Sequence, residues 1–346
     1  FEGQSNVVPL DSSRDGKRWL VETIGPLDGG TYLVYDTEKA ELTPVGMRRP
    51  ALKPETLSPV QVIHYTARDG LPLTGYYTRP VGLEAGAIPP LVVMPHGGPE
   101  MRDTLTFDGH AQLLASHGYA VFQPNFRGSS GYGLHFADAG RRQWGLAMQT
   151  DIEDGLKHLM SEGLARAGNA CIYGYSYGGY AALAAATLTP DDYECVIAGS
   201  GPSDLSKMVR WIGREEGFKS ENYEYWTAHI GHPSHHRDEM EAVSPALLAS
   251  RVVAPVLLIH GKEDVIVPVE QSEYMHKALK EAGKDVTYLE LKNSGHSFRP
   301  VSERQTEMET VLAFLAQHLT PPNAEVSTTG PAGTLEEEET ASLSPD

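Results

Sequence analysis

The sequence predicts an α/β protein: a doubly wound domain with a mostly parallel, eight-stranded sheet covered by helices on both faces, preceded by a small β-meander. Three observations carry this. From Val60 onward, apolar runs of strand length alternate with longer segments rich in helix formers. Two of those runs, Leu91-Val92-Val93-Met94 and Val256-Leu257-Leu258-Ile259, are apolar at every position, as strands covered on both faces are. Before residue 58, by contrast, short β-runs are punctuated by Asp-Gly and Gly-Gly turns, the signature of antiparallel hairpins.

Taken in order, residues 1–58 contain β-runs at 19–23, 31–35 and 41–45. This meander has the strand count of a single propeller blade, and no second copy follows at a period of roughly 40–50 residues. It reads as an edge ornament or a propeller remnant. Strands are expected at 60–66, 74–78, 91–95, 120–124, 170–173, 195–198, 256–260 and 286–291, and helices at 109–117, 150–162, 177–188, 269–282 and 303–318. The α/β domain is therefore expected to occupy 59–320. Residues 321–346 carry Glu336 to Glu339 in a row and no Lys, Arg or aromatic residue, the composition of an acidic disordered tail.

At 346 residues with 40% hydrophobic content, the chain can bury one substantial core. Its net charge of −18 argues against nucleic acid and anionic membrane surfaces as partners. No apolar run approaches the length of a membrane-spanning helix. Cys171 and Cys195 lie in apolar, strand-like runs, where small buried hydrophobes are expected rather than a disulfide or metal ligands. The first residue is Phe1, which suggests a processed form or a fragment and leaves a cytoplasmic or periplasmic location equally open. No cofactor or metal is expected.

The chemistry gathers around "CIYGYSYGGYAALAAA", residues 171–186. A short apolar strand gives way to an Ala-rich helix across Gly174-Tyr175-Ser176-Tyr177-Gly178, which fits the G-x-S-x-G nucleophile elbow of α/β-hydrolases; the same pattern also occurs as an ordinary glycine turn. An α/β-hydrolase needs an acid and then a histidine later in the chain. Asp264 in "HGKEDVIVP" and His296 in "KNSGHSF" follow two successive strands, in that order. Glu263 is the competing acid. A serine hydroxyl needs a base to take its proton and an acid to orient that base, which accounts for the three residue types. The oxyanion of a tetrahedral intermediate needs donors, and the N–H of Tyr177 and that of a glycine in "MPHGGPE", Gly97 or Gly98, suit the task. His229, His232, His235 and His236 crowd a polar segment without zinc-site spacing and read as surface histidines. "NFRGSSGYG" lacks both the dinucleotide and phosphate-loop patterns and reads as the loop after the fourth strand.

With "HGGP" at 96–99, "NFRGSSGYG" at 125–133, "GYSYGGYAA" at 174–182, "HGKEDVIVP" at 260–268 and "SGH" at 294–296, the chain resembles the catalytic domain of the prolyl oligopeptidase family of serine peptidases, in particular its acylaminoacyl-peptidase-like branch. The resemblance spans most of residues 60–318. It implies Ser176, Asp264 and His296 as a triad, Gly98 and Tyr177 as oxyanion donors, and Leu205, Met208, Val209, Trp211 and Val267 as the wall of an apolar substrate pocket. As a helix face, the residues from Leu205 to Trp211 serve equally well as core. Family members carry a whole propeller over the site, whereas one blade-like meander stands here, so exopeptidase specificity is not carried over. The uncovered surface makes an open site and a homo-oligomer the expectation. The leading expectation is hydrolysis of peptide or acyl-amino bonds through an acyl-enzyme. A carboxylesterase with the same machinery is the alternative, and a non-catalytic binding protein of this fold is disfavoured by the complete triad.

Overall fold

The computed structural model describes residues 5–84 and 86–319; the expected acidic tail at 321–346 lies outside them. A four-stranded antiparallel sheet comes first: β1 (Asn6–Ser12), β2 (Arg18–Gly25), β3 (Asp28–Asp36) and β4 (Glu41–Met47), in sheet order β1-β2-β3-β4. The meander thus has one more strand than its three β-runs show, because β1 is exposed throughout and has no hydrophobic alternation to betray it. Gln112 ties this sheet to the α/β domain. Its side chain donates to the carbonyls of Pro26 and Ser58 at 3.3 and 2.9 Å and accepts from the Ser58 N–H at 2.7 Å.

The second sheet is built from β5 (Val60–Thr66), β6 (Pro72–Thr78), β7 (Leu91–Val93), β8 (Ala120–Asn125), β9 (Ala170–Tyr175), β10 (Cys195–Gly199), β11 (Val256–Gly261) and β12 (Val286–Leu291). Their order is β12-β11-β10-β9-β7-β8-β6-β5, with every pair from β12 to β8 parallel and the β8, β6 and β5 edge antiparallel. All eight expected strands are present. Because strand side chains alternate, each strand feeds two cores. Leu91, Val93, Ile172 and Leu258 pack on one face with α3 (Ala147–Ser161), α4 (Tyr177–Leu188) and α8 (Glu270–Glu281), whereas Val92, Cys171, Ile197 and Ile259 pack on the other with α1 (Gly109–Ser116) and α9 (Val301–His318).

Four further helices complete the domain: α2 (Leu134–Asp138), α5 (Leu205–Glu216), α6 (Glu221–His229) and α7 (Arg237–Ala242), of which the sequence predicts only the helix face at 205–211. Two of them are capped in the ordinary way, Asp204 accepting from the Lys207 N–H at 3.0 Å and Ser220 from the Tyr223 N–H at 3.1 Å. Among the described residues, no helix is long and apolar enough to cross a membrane.

The expectation for the cysteines is corrected. Cys171 on β9 and Cys195 on β10 are direct register partners on neighbouring parallel strands, and they form a disulfide. Both are fully buried, as expected. Their pairing depends on sheet register, which composition does not reveal.

Candidate active site

The strand order reverses between β7 and β9, and loops leaving the carboxyl ends of the strands on either side of such a switch border a common cleft. β9 ends at Tyr175 and α4 begins at Tyr177, so the whole turn is Ser176, held at φ 58° and ψ −120°. A non-glycine residue in that region costs about 1–3 kcal/mol and persists only where its surroundings enforce it. The surroundings here are backbone. A Cβ on Gly174 would stand 2.1 Å from the Gly178 carbonyl oxygen, and one on Gly178 would stand 2.2 Å from that of Pro95. The glycines that bracket Ser176 therefore let the strand, the helix and the loop after β7 converge.

Ser176 meets the two residues placed with it from the sequence. His296, in the loop after β12, lies with Nε2 3.0 Å from Ser176 Oγ and with Nδ1 2.7 Å from Asp264 Oδ2. Asp264, in the loop after β11, also accepts the Ile266 and Val267 N–H groups on Oδ1, both at 2.9 Å, and has His260 Nε2 3.4 Å from Oδ2. Burial alone would raise its pKa. The hydrogen bonds from His260 and His296, the attraction of His296 and the Val267 N–H outweigh burial and hold the carboxyl well below the usual carboxylate range. Glu263, the competing acid, is exposed.

The loop after β7 carries Gly98 at φ 114°, a conformation that suits glycine. Its neighbour His96 is braced from below. His96 Nδ1 donates to the Gly97 carbonyl at 2.7 Å, Ser129 Oγ lies 2.8 Å from Nε2, and the ring stacks on Phe126 at 4.3 Å. Burial lowers the His96 pKa to about 4, so this imidazole is neutral. Asn125 clasps the same loop further on, accepting from the Asp103 N–H at 2.8 Å and donating to the Asp103 carbonyl at 3.0 Å. Asn125, Phe126 and Ser129 belong to "NFRGSSGYG", which thus serves as the brace of the "HGGP" loop. Its Arg127 pairs with buried Asp151 at 2.7 Å.

A pocket of about 210 Å³ opens beside Ser176 and is bordered by both Gly98 and Tyr177. Of the residues expected in its wall, Met208, Trp211 and Val267 line it. Leu205 and Val209 do not: both are fully buried in the core on the inner side of α5, one helical face away. The pocket also takes Trp144, Ile212, Trp226, Ile230, Val265 and Ile266, which come from four separate segments. No local pattern marks Trp144 or Trp226. For Ile212 a signal exists in the periodicity of α5, which puts it on one stripe with Met208 and Trp211.

The expectation of surface histidines is corrected at one position. His229 closes α6 and is buried, with Nε2 2.9 Å from Glu100 Oε1, Nδ1 donating to the Tyr225 carbonyl at 2.7 Å, and its ring stacked on Tyr225 at 3.9 Å. It joins the helix that walls the pocket to the residue after "HGGP".

A mostly parallel sheet with helices on both faces and a serine elbow at its carboxyl edge is the α/β-hydrolase fold. Residues 105–321 match the model of the prolyl oligopeptidase family, and the chain belongs to that family of serine peptidases. It is 31% identical over 325 residues to dipeptidyl aminopeptidase BIII of Pseudoxanthomonas mexicana, covering 92% of this chain and 47% of that protein. With an acylamino-acid-releasing enzyme of Arabidopsis thaliana it shares 28% identity over 248 residues, 68% of this chain and 31% of the other. Among solved structures, the acylaminoacyl peptidase of Pyrococcus horikoshii superposes with a TM-score of 0.80 at 25% identity, over 92% of this chain and 50% of that one. A puromycin-hydrolyzing peptidase of Mycobacterium tuberculosis gives 0.79 at 28%, over 88% and 46%. The chain spans about half the length of the first relatives it matches.

Proposed function

We propose that the protein hydrolyses peptide or acyl-amino bonds through an acyl-enzyme on Ser176, with His296 as general base and then acid, Asp264 as its orienting carboxylate, and the Gly98 and Tyr177 N–H groups as oxyanion donors. The observation that carries the reading is the unbroken relay from Ser176 Oγ through both nitrogens of His296 to Asp264. Asp264 is ionised, so Nδ1 of a neutral His296 is the nitrogen that bears the proton and donates it to Oδ2. Nε2 then presents its lone pair to the Ser176 hydroxyl. As Oγ bonds to the acyl carbon, its proton passes to Nε2 and the carbonyl oxygen gains the charge. Collapse of this intermediate returns the proton to the leaving amine, and water repeats the sequence in reverse to free the acid.

Tyr177 opens α4, so its N–H has no acceptor within the helix and is available to an oxyanion. The aromatic and aliphatic lining of the adjoining pocket suits the acyl-side side chain, and removing such a side chain from water supplies binding energy at about 25 cal/mol per Å². The relatives' names, acylaminoacyl and dipeptidyl peptidases, favour amide over ester bonds as the substrate. Replacing Ser176 by Ala is expected to abolish both turnover of acyl p-nitroanilides and labelling by a fluorophosphonate, while circular dichroism stays unchanged. Undiminished labelling would overturn the assignment.

A further inference from the structure

Away from Ser176 and Tyr177, the lining of the pocket is apolar except at one place. Among the described residues that line it, Glu216 is the only charged one, and Asn222 stands next to it. The two side chains are joined, Asn222 Nδ2 donating to Glu216 Oε1 at 2.7 Å, which orients the carboxylate. Met208 and Glu216 lie on the same face of α5, eight residues apart, so the lining runs for about 12 Å along the helix. Trp144, Trp211 and Trp226 line the same pocket, with Trp144 4.6 Å from Tyr177 and 6.0 Å from Trp226 between ring centroids.

We propose that Glu216 is a specificity-determining residue that selects substrates whose acyl-side side chain is long and ends in a cation, as lysine and arginine do. The inference rests on the reading of Ser176 as nucleophile and of this pocket as the acyl-side site. Two physical arguments support it. Indole faces are the strongest aromatic partners of an ammonium or guanidinium, while they also accept the methylene stem that carries it. Glu216 is exposed, so a long neutral chain gains only the contact of its stem with the pocket walls, whereas a cation of the same length also pairs with the carboxylate. The same carboxylate therefore attracts one class of side chain and discriminates against its neutral isostere. An acyl-side phenylalanine, which has no charge to pair with Glu216, is expected to be accepted on its contact with the tryptophans alone.

The matched pair N-acetyl-lysine and N-acetyl-norleucine, each as the methylcoumarin amide, isolates the charge at equal stem length. At low salt the wild-type protein is expected to favour lysine in kcat/KM by about tenfold, and Glu216→Gln to bring the lysine-to-norleucine ratio close to one. Raising the salt to about 0.5 M should compress the wild-type ratio, because the acidic end is open to solvent. Binding of the two N-acetyl amino acid amides to the Ser176→Ala protein, measured by calorimetry, reports the same preference without turnover. Hydrolysis of the norleucine substrate with a ratio of one or less, or a ratio that Glu216→Gln leaves unchanged, overturns the role of Glu216 while the serine-hydrolase reading stands. If no amide is hydrolysed, that reading fails, and the calorimetric ratio still decides whether Glu216 selects a cation.

Discussion

Asp264 and His296 meet through a 2.7 Å hydrogen bond whose acceptor side chain is sealed from solvent, whereas the carboxylate of Glu263, one residue earlier, faces water. The chain order Ser, acid, His left both acids eligible. The turn after β11 separates them, because Asp264 is drawn inward by the Ile266 and Val267 N–H groups. Asp264→Asn is therefore expected to lower kcat by about 10⁴-fold, since an amide that donates toward Nδ1 forces the wrong tautomer. Glu263→Gln should stay within a few-fold of wild type. Steady-state assays of the two variants side by side check this, and a larger loss in Glu263→Gln would reverse the assignment.

The elbow makes a prediction about stability as well as rate. At Gly174 a methyl group would fall 2.1 Å from the Gly178 carbonyl oxygen, and that atom belongs to the first turn of α4, which is buried along nearly its whole length. Backbone, not a flexible side chain, would have to move. Gly174→Ala is expected to cost about 3 kcal/mol in urea unfolding and to misplace Ser176, lowering kcat together with stability. A variant of wild-type stability would show that strand and helix approach each other less closely.

The Cys171–Cys195 disulfide closes a loop over a sequence separation of 24 residues, which contains the elbow and all of α4. By the chain-entropy account such a cross-link stabilises by about 3 kcal/mol, chiefly by restricting the unfolded chain. The Cys171→Ala, Cys195→Ala double variant is expected to unfold at lower denaturant concentration by that amount. The wild-type protein unfolded with reductant present should behave in the same way. A midpoint that reductant leaves untouched would mean that the two thiols are not joined.

The strands were legible because β7, β9, β10 and β11 are buried at nearly every position, so each appears as an uninterrupted apolar run bounded by Gly, Pro or polar residues. The meeting of Ser176, Asp264 and His296 was legible for a different reason: each lies in the loop that leaves the carboxyl end of a parallel strand, β9, β11 or β12, so chain order places all three at one edge of the sheet. α5 carried a readable signal in Asp204 followed by Leu205, Met208, Val209 and Ile212 at helical spacing, but that stripe faces the core and the pocket at once. Periodicity marks an apolar face without saying which of its residues meets solvent, and so Leu205 and Val209 could not be told from Met208 and Trp211. His229 was hidden by its polar neighbours, because burial there depends on Glu100, 129 positions earlier. The cysteine pairing and the pocket walls at Trp144 and Trp226 are likewise products of tertiary register.

Asp103 lies further along the loop after β7, and its Oδ2 is buried with no hydrogen-bond partner among the described residues. Burial first, and the neighbouring Asp108 carboxylate second, raise its pKa to about 7, against a weaker opposing hydrogen bond from Gln123. The folded state thus holds this proton at pH values where the unfolded chain, with an ordinary Asp near 3.9, has released it. Between about pH 4 and pH 7 the native state binds more protons than the unfolded one, so this group's contribution to stability falls as pH rises and levels off above the folded pKa. Asp103→Asn keeps an oxygen to accept from Gln123 Nε2, 3.1 Å away, and removes the titration. The variant is expected to be more stable than wild type at pH 8, by on the order of 4 kcal/mol, and to match it near pH 4. Urea midpoints at the two pH values check the sign. A gain that is the same at both, or a loss at pH 8, would show that Asp103 is ionised in the folded protein and that water reaches its orphan oxygen.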